Sequence, residues 1–368
     1  MANTGIEIFR LNAIAFTGKE MGTSSENRPR AHQLVRALNA LTNIACPAVV
    51  FKSEAIVHPD YVNSYISDDE CEISYNPLLM ALLWEALATR EVKLLHHSMK
   101  KRFEIHEHTA WVNYVRSHDD IGWTFSDEDA AEVGINGYDH RSFLNNFYAG
   151  NFTGSFSRGE PFQFNPDTGD LRICGTSASL SGLEKGVIEN DDLEQSLAIK
   201  RMTLLYSVAM FIGGIPLIYL GDELALMNDY SYRENPAKKN DSRWVHRVKI
   251  TEDNLKERHA EGSVREQMFT NIKRLIDIRT SHPEFEAKRT EFHDTGNKHL
   301  FSFSRSEPDH QVLFIGNVSE HELQLDTQFI NSRFGSGYTL TDLWNGEKLQ
   351  LLHTLEVAPY QFFVLKKQ

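Results

Sequence analysis

The sequence predicts an α/β fold in which short strands alternate with helices, followed by a small antiparallel β unit. Three observations predict it. Short apolar runs alternate with segments of helical periodicity through the first 280 residues or so. Each of those runs ends in polar residues. After about Arg289 the pattern changes to alternating strand runs separated by turn residues. The first two features mark a βα-barrel or an open α/β sheet whose site lies at the C-terminal ends of the strands.

The elements follow in order. Ile6 to Leu11 reads as a strand. Pro29 to Ile44 reads as a helix, with Leu34, Val35, Leu38 and Leu41 at helical spacing, and Pro47 ends it. Ala48 to Phe51 is a fully apolar run of the kind found in buried parallel strands. Asp60 to Ile66 is a short helix and Glu72 to Tyr75 a strand. Pro77 to Leu95 reads as one long helix, striped by Leu79, Leu82, Leu83, Leu87 and Val92. Ala110 to Val115 is a strand leading into "RSHDD". From Ile121 to about Asn190 the chain is rich in Gly, Asn, Ser and Phe and reads as a long excursion, of the kind that is usually functional. Leu193 to Ile212 is a helix, Gly213-Gly214 a tight turn, Ile215 to Leu220 a strand ending in "GDE". Asn228 to Arg247 is a polar loop and Ser263 to Thr280 a helix. The runs "HLFSFSR", "QVLFIGNVS", "YTLTDLW" and "QFFVLK" build the antiparallel unit. Five strands of the alternating type are visible, near residues 6, 49, 73, 113 and 217, whereas a closed barrel of this kind needs eight.

Composition narrows the function classes. The chain has 368 residues, 41% hydrophobic and 24% charged, which suits one large domain plus a smaller one. A formal net charge of -13 argues against unspecific binding to nucleic acid or anionic membranes. The three cysteines, Cys46, Cys71 and Cys174, have no C-x-x-C spacing, so neither a disulfide framework nor a zinc site is expected. No signal peptide is visible, and the most apolar stretch, Leu204 to Leu220, is broken by Gly213, Gly214 and Pro216. A cytoplasmic protein is the expectation.

The polar strand ends carry the chemistry. They are Arg10 with Asn12, Lys52 with Glu54, His118 with Asp119 and Asp120, and Asp222 with Glu223. Residues two apart in a strand share a face, so Arg10 and Asn12 project together, one strand along from Lys52 and Glu54. Two carboxylates across a pocket are the equipment of glycosidic bond chemistry: one protonates the leaving group, the other attacks or stabilises a cationic sugar. Glu54 and Asp119 supply such a pair. Any one of these residues alone is commonly a cap or a surface group; their repetition at successive strand ends carries the reading. Tyr75, Trp123, Phe125, Tyr138, Phe162 and Phe164 lie near the expected mouth, where flat rings cover sugar faces or form the excursion's own core. Gly213-Gly214 lacks the spacing of a phosphate loop.

The stretches "GIEIFRLNAIAF", "FKSEAIVHPD", "ISYNPLLMALLW", "WVNYVRSHDDIGWTF", "GIPLIYLGDE" and "AKKNDSRWVHR" resemble, in this order, the α-amylase superfamily (glycoside hydrolase family 13), and within it the amylosucrase group. The resemblance runs from about residue 5 to the end. It implies a partial (β/α)8 TIM barrel, about strands 4 to 8, with a loop insertion after strand 7 and a C-terminal antiparallel β domain. The implied limits are 1–120 for barrel strands 4 to 7, 121–190 for the insertion, 191–287 for the rest of the barrel, and 288–368 for the β domain. The implied reaction is retaining glucosyl transfer from sucrose to α-1,4-glucan through a covalent β-glucosyl intermediate, with no cofactor and no metal; no EF-hand spacing is present.

Carried residue by residue, the resemblance makes Glu54 the general acid/base and Asp119 the carboxylate that stabilises the transition state and binds sugar hydroxyls. His118 hydrogen-bonds the glucosyl unit, and Arg10 stands beside the nucleophile. Asp120 and Arg172 surround the fructosyl site. Arg243 closes the glucose pocket through an ion pair whose partner lies in a region without counterpart here. Asn12 stands where the family has its nucleophilic aspartate. An amide oxygen is a very poor nucleophile toward an anomeric carbon, so the expectation is a chain impaired or inactive in turnover. The resemblance also starts at the family's fourth strand. The strands near residues 6 and 217 are then expected to be open edges that invite an N-terminal half or self-association. Three readings follow: a sucrose- or α-glucan-acting enzyme, a non-catalytic sugar-binding remnant or half of a split enzyme, and a substrate trap. The last is opposed by the absent strands. No nucleic acid or membrane partner is expected.

Overall fold

A computed structural model describes residues 2–307, 310–335, 339–349 and 353–367. Met1 and Gln368, the outer limits of the expected domains, and Tyr338, which opens one expected strand run, lie outside the described residues. A five-stranded parallel sheet forms the first layer, from β1 (Ile8–Leu11), β2 (Val50–Ser53), β3 (Ile73–Tyr75), β4 (Ala110–Tyr114) and β7 (Ile215–Leu217) in the order β1-β2-β3-β4-β7. Between β4 and β7 lies the hairpin β5 (Glu160–Asn165) and β6 (Asp170–Cys174). The C-terminal part is antiparallel. It comprises β8 (Arg289–Phe292), β9 (Leu300–Glu307), β10 (His310–Asn317), β11 (Leu323–Asp326), β12 (Leu340–Asp342), β13 (Lys348–Leu349), β14 (Thr354–Val357) and β15 (Phe362–Lys367). Six of these make one sheet, β13-β12-β15-β10-β9-β8, and β11 pairs with β14. This is an α/β fold with the strand succession of a partial (β/α)8 barrel and separate antiparallel sheets at the C-terminus.

The core explains why the excursion after β4 is ordered. The helix Pro77–Thr89 starts cleanly, with proline in its first turn and the Asn76 side chain accepting from the Leu79 N–H at 3.0 Å. Every residue from Pro77 to Ala88 is buried, because the helix is covered by the sheet on one side and by the excursion on the other. Trp123, Phe147, Tyr148, Phe156 and Leu180 join Trp84 and Leu87 in one apolar cluster that continues into Phe301, Phe314 and Phe362 of the antiparallel sheet. The Trp84 indole donates to the Val115 carbonyl at 2.8 Å, tying this helix to the end of β4.

Three expectations are corrected. The helix expected over Pro77 to Leu95 is two helices, Pro77–Thr89 and Lys93–Arg102. Arg90 takes a left-handed conformation (φ 58°), and the Val92 N–H leaves the helix to donate to the Lys298 carbonyl at 2.8 Å. A long-range pairing overrides the local periodicity. The last strand of the sheet ends at Leu217 rather than Leu220. Before it, Gly214 (φ 71°) passes so close to β4 that a Cβ would stand 2.4 Å from the Trp111 carbonyl oxygen, which admits only glycine. Of the residues at helical spacing in the helix Pro29–Ala45, only Val35 faces the core. That helix packs through Ala31, Val35 and Asn39, while Leu34, Leu38, Leu41 and Ile44 are exposed, Ile44 to 84%.

The sheet is open at both ends among the described residues. Ile8 on β1 is 52% exposed and Ile215 on β7 is 42% exposed, as expected of unpaired edges. No helix among the described residues is long and apolar enough to cross a membrane.

Candidate active site

The C-terminal ends of β1, β2, β3 and β4 open into one cleft of about 700 Å³, within the range of small-molecule sites. Arg10 is at its centre. Its Nη2 stands 2.8 Å from Glu54 Oε1 and 3.9 Å from Asp119 Oδ2, so one guanidinium joins the two carboxylates. Its Nε is buried with no partner among the described residues. Past Leu11 the chain turns sharply. Ala13 is left-handed (φ 51°), and its N–H donates to Glu54 Oε2 at 3.0 Å. Backbone bonds from Glu54 N–H to the Leu11 carbonyl and from Ile14 N–H to the Glu54 carbonyl, both 3.2 Å, keep the two strand ends side by side. Asn12 lines the cleft between Arg10 and Ala13, exposed, with no hydrogen bond among the described residues.

The wall on the β3 side is aromatic. Lys52 Nζ donates to the Tyr75 hydroxyl at 3.0 Å and lies 4.4 Å from the centre of that ring. Tyr75 meets Tyr114 edge to face at 5.3 Å. Burial pushes the Tyr114 phenol well above its usual range, so it stays protonated.

The end of β4 carries the densest charge. Asp119 Oδ2 is 3.2 Å from His118 Nε2, and its Oδ1 is 3.3 Å from Arg243 Nη1 and 3.6 Å from Arg247 Nη2. Arg243 stacks over Phe162 at 4.8 Å and is gripped by Asp241 through two contacts of 2.9 Å. The hydrogen bond from Arg243 holds the Asp241 carboxyl below its usual range. The partner of Arg243 is therefore local, supplied by Asp241 and Asp119, where the resemblance implied a partner from elsewhere.

Behind these residues a second layer fixes the turn. The His118 carbonyl accepts from His246 Nε2 at 3.1 Å and from Arg247 Nε at 2.9 Å. The Gly175 N–H donates to His246 Nδ1 at 3.1 Å, which assigns the proton of a neutral ring to Nε2. Burial first, and the Arg116 charge second, lower the His246 pKa to about 3. Below it, Arg116 Nε and Nη2 both meet Asp222 Oδ1, at 2.8 and 2.6 Å, with exposures of 2% and 0%. Asp222 also accepts from Ser177 Oγ at 2.7 Å and from the Tyr206 hydroxyl. Of the sequence-predicted polar ends, Asp222 is thus a buried anchor outside the cleft lining. Glu223 folds back to accept the Gly221 N–H at 2.7 Å. Beyond Asp119, Asp120 lies 3.4 Å from Arg172 on β6. Burial pushes the Asp120 carboxyl up, and Arg172 partly counters it.

The structure therefore brings together Arg10, Asn12, Glu54, His118, Asp119, Asp120, Arg172 and Arg243, all lining one cleft. Of the aromatic candidates, Tyr75, Trp123 and Phe125 line the cleft, the last two otherwise buried in the core, whereas Phe162, half-buried, and Tyr138 and Phe164, exposed, lie outside the lining.

No family model matches the chain. Among curated proteins it is similar to the glucosylglycerate phosphorylase of Escherichia coli (strain K12), 26% identical over 326 residues, which covers 86% of this chain and 54% of that protein. Among solved structures it is similar to sucrose 6F-phosphate phosphorylase from Thermoanaerobacter thermosaccharolyticum. The TM-score is 0.66 at 17% identity, with 95% of this chain and 60% of that chain covered. It is also similar to α-amylase from Geobacillus thermoleovorans, with a TM-score of 0.58 at 11% identity, covering 100% and 61%. Its likeness to these solved structures is one of fold. It spans about half the length of the curated relatives it matches.

Five residues in or behind this cleft escaped the sequence reading: Arg247, Asn165 and Asp170 line it, and His246 and Arg116 lie behind it. His246 and Arg247 sit in "DSRWVHR", where only Arg243 was singled out. Arg116 opens "RSHDD", and its apolar surroundings were the available signal of a buried role. Asn165 and Asp170 reach the lining from the hairpin β5–β6, whose register shifts at Gln163 (φ 53°), a bulge on a residue type that does not announce a positive φ. A cluster of metal-ligating side chains, His97, Asp129 and Glu132, lies outside the cleft lining. Lys101 Nζ already binds both acids there, at 2.9 and 3.0 Å, so the cluster does not suit a cation.

Proposed function

We propose that this cleft binds an α-glucosyl donor of the sucrose type, with Glu54 as general acid/base and Asp119 as the carboxylate facing the sugar hydroxyls. His118, Arg10 and Arg243 frame the glucosyl ring, and Asp120 and Arg172 lie toward the leaving group. The parent reaction is retaining glucosyl transfer to an α-1,4-glucan. The observation that carries this reading is the joining of Glu54 and Asp119 by Arg10 at the open end of a parallel sheet.

Asn12 occupies the place of the nucleophile. A neutral amide cannot form the covalent glycosyl ester, and its replacement of a carboxylate removes at least several-thousandfold in rate, roughly 5 kcal/mol of barrier or more. A second reading, sugar binding without turnover, is favoured by one observation: Arg10, with no carboxylate at position 12, pairs with Glu54.

The test is release of glucose and fructose from sucrose by the purified chain beside its Asn12→Asp variant, with sucrose binding followed by ligand-observed NMR. Turnover by the variant alone supports the catalytic reading. Binding by both with turnover by neither supports the sugar-binding reading. Normal turnover by the natural chain overturns the account of Asn12, and absence of binding overturns both readings.

A further inference from the structure

The helix Pro29–Ala45 has two unlike flanks. It meets the core through Ala31, Val35 and Asn39, and Val35 packs in one cluster with Phe51 of β2 and Phe9 and Leu11 of β1. At about 100° per residue, His32 and Arg36 fall to one side of Val35, and Leu34, Leu38, Leu41 and Ala45 to the other. The first flank is occupied. His32 Nδ1 lies 2.9 Å from Glu70 Oε2, and Arg36 reaches Glu70 at 3.0 Å and Asp69 at 3.2 Å. Asp69 and Glu70 lead into β3, toward the middle of the sheet. The second flank therefore faces the open edge at β1, and it is exposed.

That open flank has the spacing of a helix–helix seam. Leu34, Leu38, Leu41 and Ala45 follow at intervals of four, three and four residues, the rhythm by which two helices interlock. From Ala37 to Phe51 the chain has no charged residue. Turned end for end, the seam complements itself. With two antiparallel helices and a two-fold axis between Asn39 and Ala40, Leu38 of each copy meets Leu41 of the other, and Leu34 meets Ala45, large against small.

The charges fit the same register. Besides His32, the helix has two ionisable side chains, Arg30 and Arg36, and Arg36 is engaged by Glu70. Arg30 is exposed, without an ion pair among the described residues. In this register it lies level with the residues just past the other copy's helix, Cys46 to Val50. The Val50 N–H donates to the Glu7 carbonyl at 2.8 Å, so Glu7 stands at that level too. Glu7 is exposed, likewise unpaired among the described residues, and alternation puts it on the same face of β1 as Phe9 and Leu11. Each Arg30 thus approaches a Glu7 of the other copy, and the positive end of each helix lies beside the negative end of its mate. The other open edge is unsuited to such a contact. β7 contains Pro216, which has no N–H, and the helix Val264–Ser281 exposes Lys273, Arg274 and Asp277.

We propose that the helix Pro29–Ala45 is a dimerisation element, which pairs antiparallel with the same helix of a second copy through Leu34, Leu38, Leu41 and Ala45. The contact is two-fold and closed, so it makes a pair and no filament. A helix of this length spans about 25 Å, and a seam that size falls short of the roughly 800 Å² a side of a standard interface. The pair is therefore reversible, with a dissociation constant in the micromolar range. The inference holds whatever the cleft binds.

Sedimentation velocity on the full chain tests it, at concentrations up to about 100 μM. The natural chain should pass from monomer to dimer and stop there. Leu38→Asp, at an exposed position, should weaken the pair at least about 100-fold, because two carboxylates enter the seam. Glu7→Lys or Arg30→Glu alone should weaken it about tenfold, since the two-fold axis repeats each broken pair. The two together should restore it to within about threefold, a rescue that no disturbance of folding can mimic. A natural chain that stays monomeric throughout overturns the inference, and so do species larger than two copies. A dimer that Leu38→Asp leaves intact, with unchanged circular dichroism, places the contact elsewhere and overturns it as well. Charge variants without effect, or a double variant weaker than either single one, refute the antiparallel register.

Discussion

Replacing Arg116 by methionine tests how the end of β4 is held. Asp222 accepts two bonds from Arg116, one from Ser177 and one from Tyr206, in a place almost without solvent. Removing the guanidinium strips half of those bonds and the only counter-charge that touches the carboxylate among the described residues. Breaking a buried pair from one side costs about 3–5 kcal/mol. The two hydroxyl donors remain, so a loss near the lower end, about 3 kcal/mol, is expected. The packing of Arg116 against the Tyr219 ring, 4.3 Å away, is largely kept by methionine. Asp222→Leu alone leaves the guanidinium buried and unpaired and should cost as much. The double variant removes both charges and leaves neutral groups short of a partner, the Ser177 and Tyr206 hydroxyls and the His246 carbonyl that Arg116 also reaches, a loss of about 1–3 kcal/mol. The singles should therefore exceed the double in sum by well over 1 kcal/mol. Urea unfolding followed by tryptophan fluorescence reads all four proteins. A loss under about 1 kcal/mol for Arg116→Met, or strictly additive singles, refutes the reasoning.

Two further outcomes are expected. His246 and His293 have folded pKa values lowered to about 3 and about 4, chiefly by burial, against about 6.5 when unfolded. The unfolded chain thus binds more protons on acidification, so their contribution is fully present above pH 6.5 or so and drains below it, by ~1.4 kcal/mol per pH unit for each histidine. Urea unfolding at pH 7 and pH 5 should show a steep loss that His246→Gln makes shallower; identical pH slopes for the two proteins would count against it. The outward stripe of Leu34, Leu38, Leu41 and Ile44, continuous with no charge of its own, should drive association. Sedimentation velocity should show concentration-dependent growth that Leu41→Lys with Ile44→Lys reduces; a compact monomer at every concentration would sink this expectation.

What was legible in the sequence follows from which forces are local. Strand ends are legible because side chains alternate along a strand and the site of a parallel sheet lies at its C-terminal edge; Arg10, Glu54, His118 and Asp119 were found on that basis alone. The break at Arg90 was not, since it is imposed by Lys298 far along the chain. Asp222 was misplaced because a carboxylate at a strand end looks the same whether it meets solvent or Arg116. The bulge at Gln163 was hidden by its residue type: glycine or asparagine announces a positive φ, and glutamine does not. Asn12 shows the remaining limit most clearly. A neutral amide at position 12 takes away the negative neighbour that the resemblance implies for Arg10. Instead the guanidinium rests on Glu54 at 2.8 Å, and Glu54 is held again by the Ala13 N–H. The neutral residue at position 12 has its structural counterpart at another, in the residue proposed as general acid. It follows that Asn12→Asp changes two things at once: it supplies a nucleophile, and it competes with Glu54 for Arg10. Turnover regained in that variant does not by itself say which change restored it. Glu54→Gln in the same background then separates them, because an amide at position 54 no longer competes for Arg10 but cannot act as the acid.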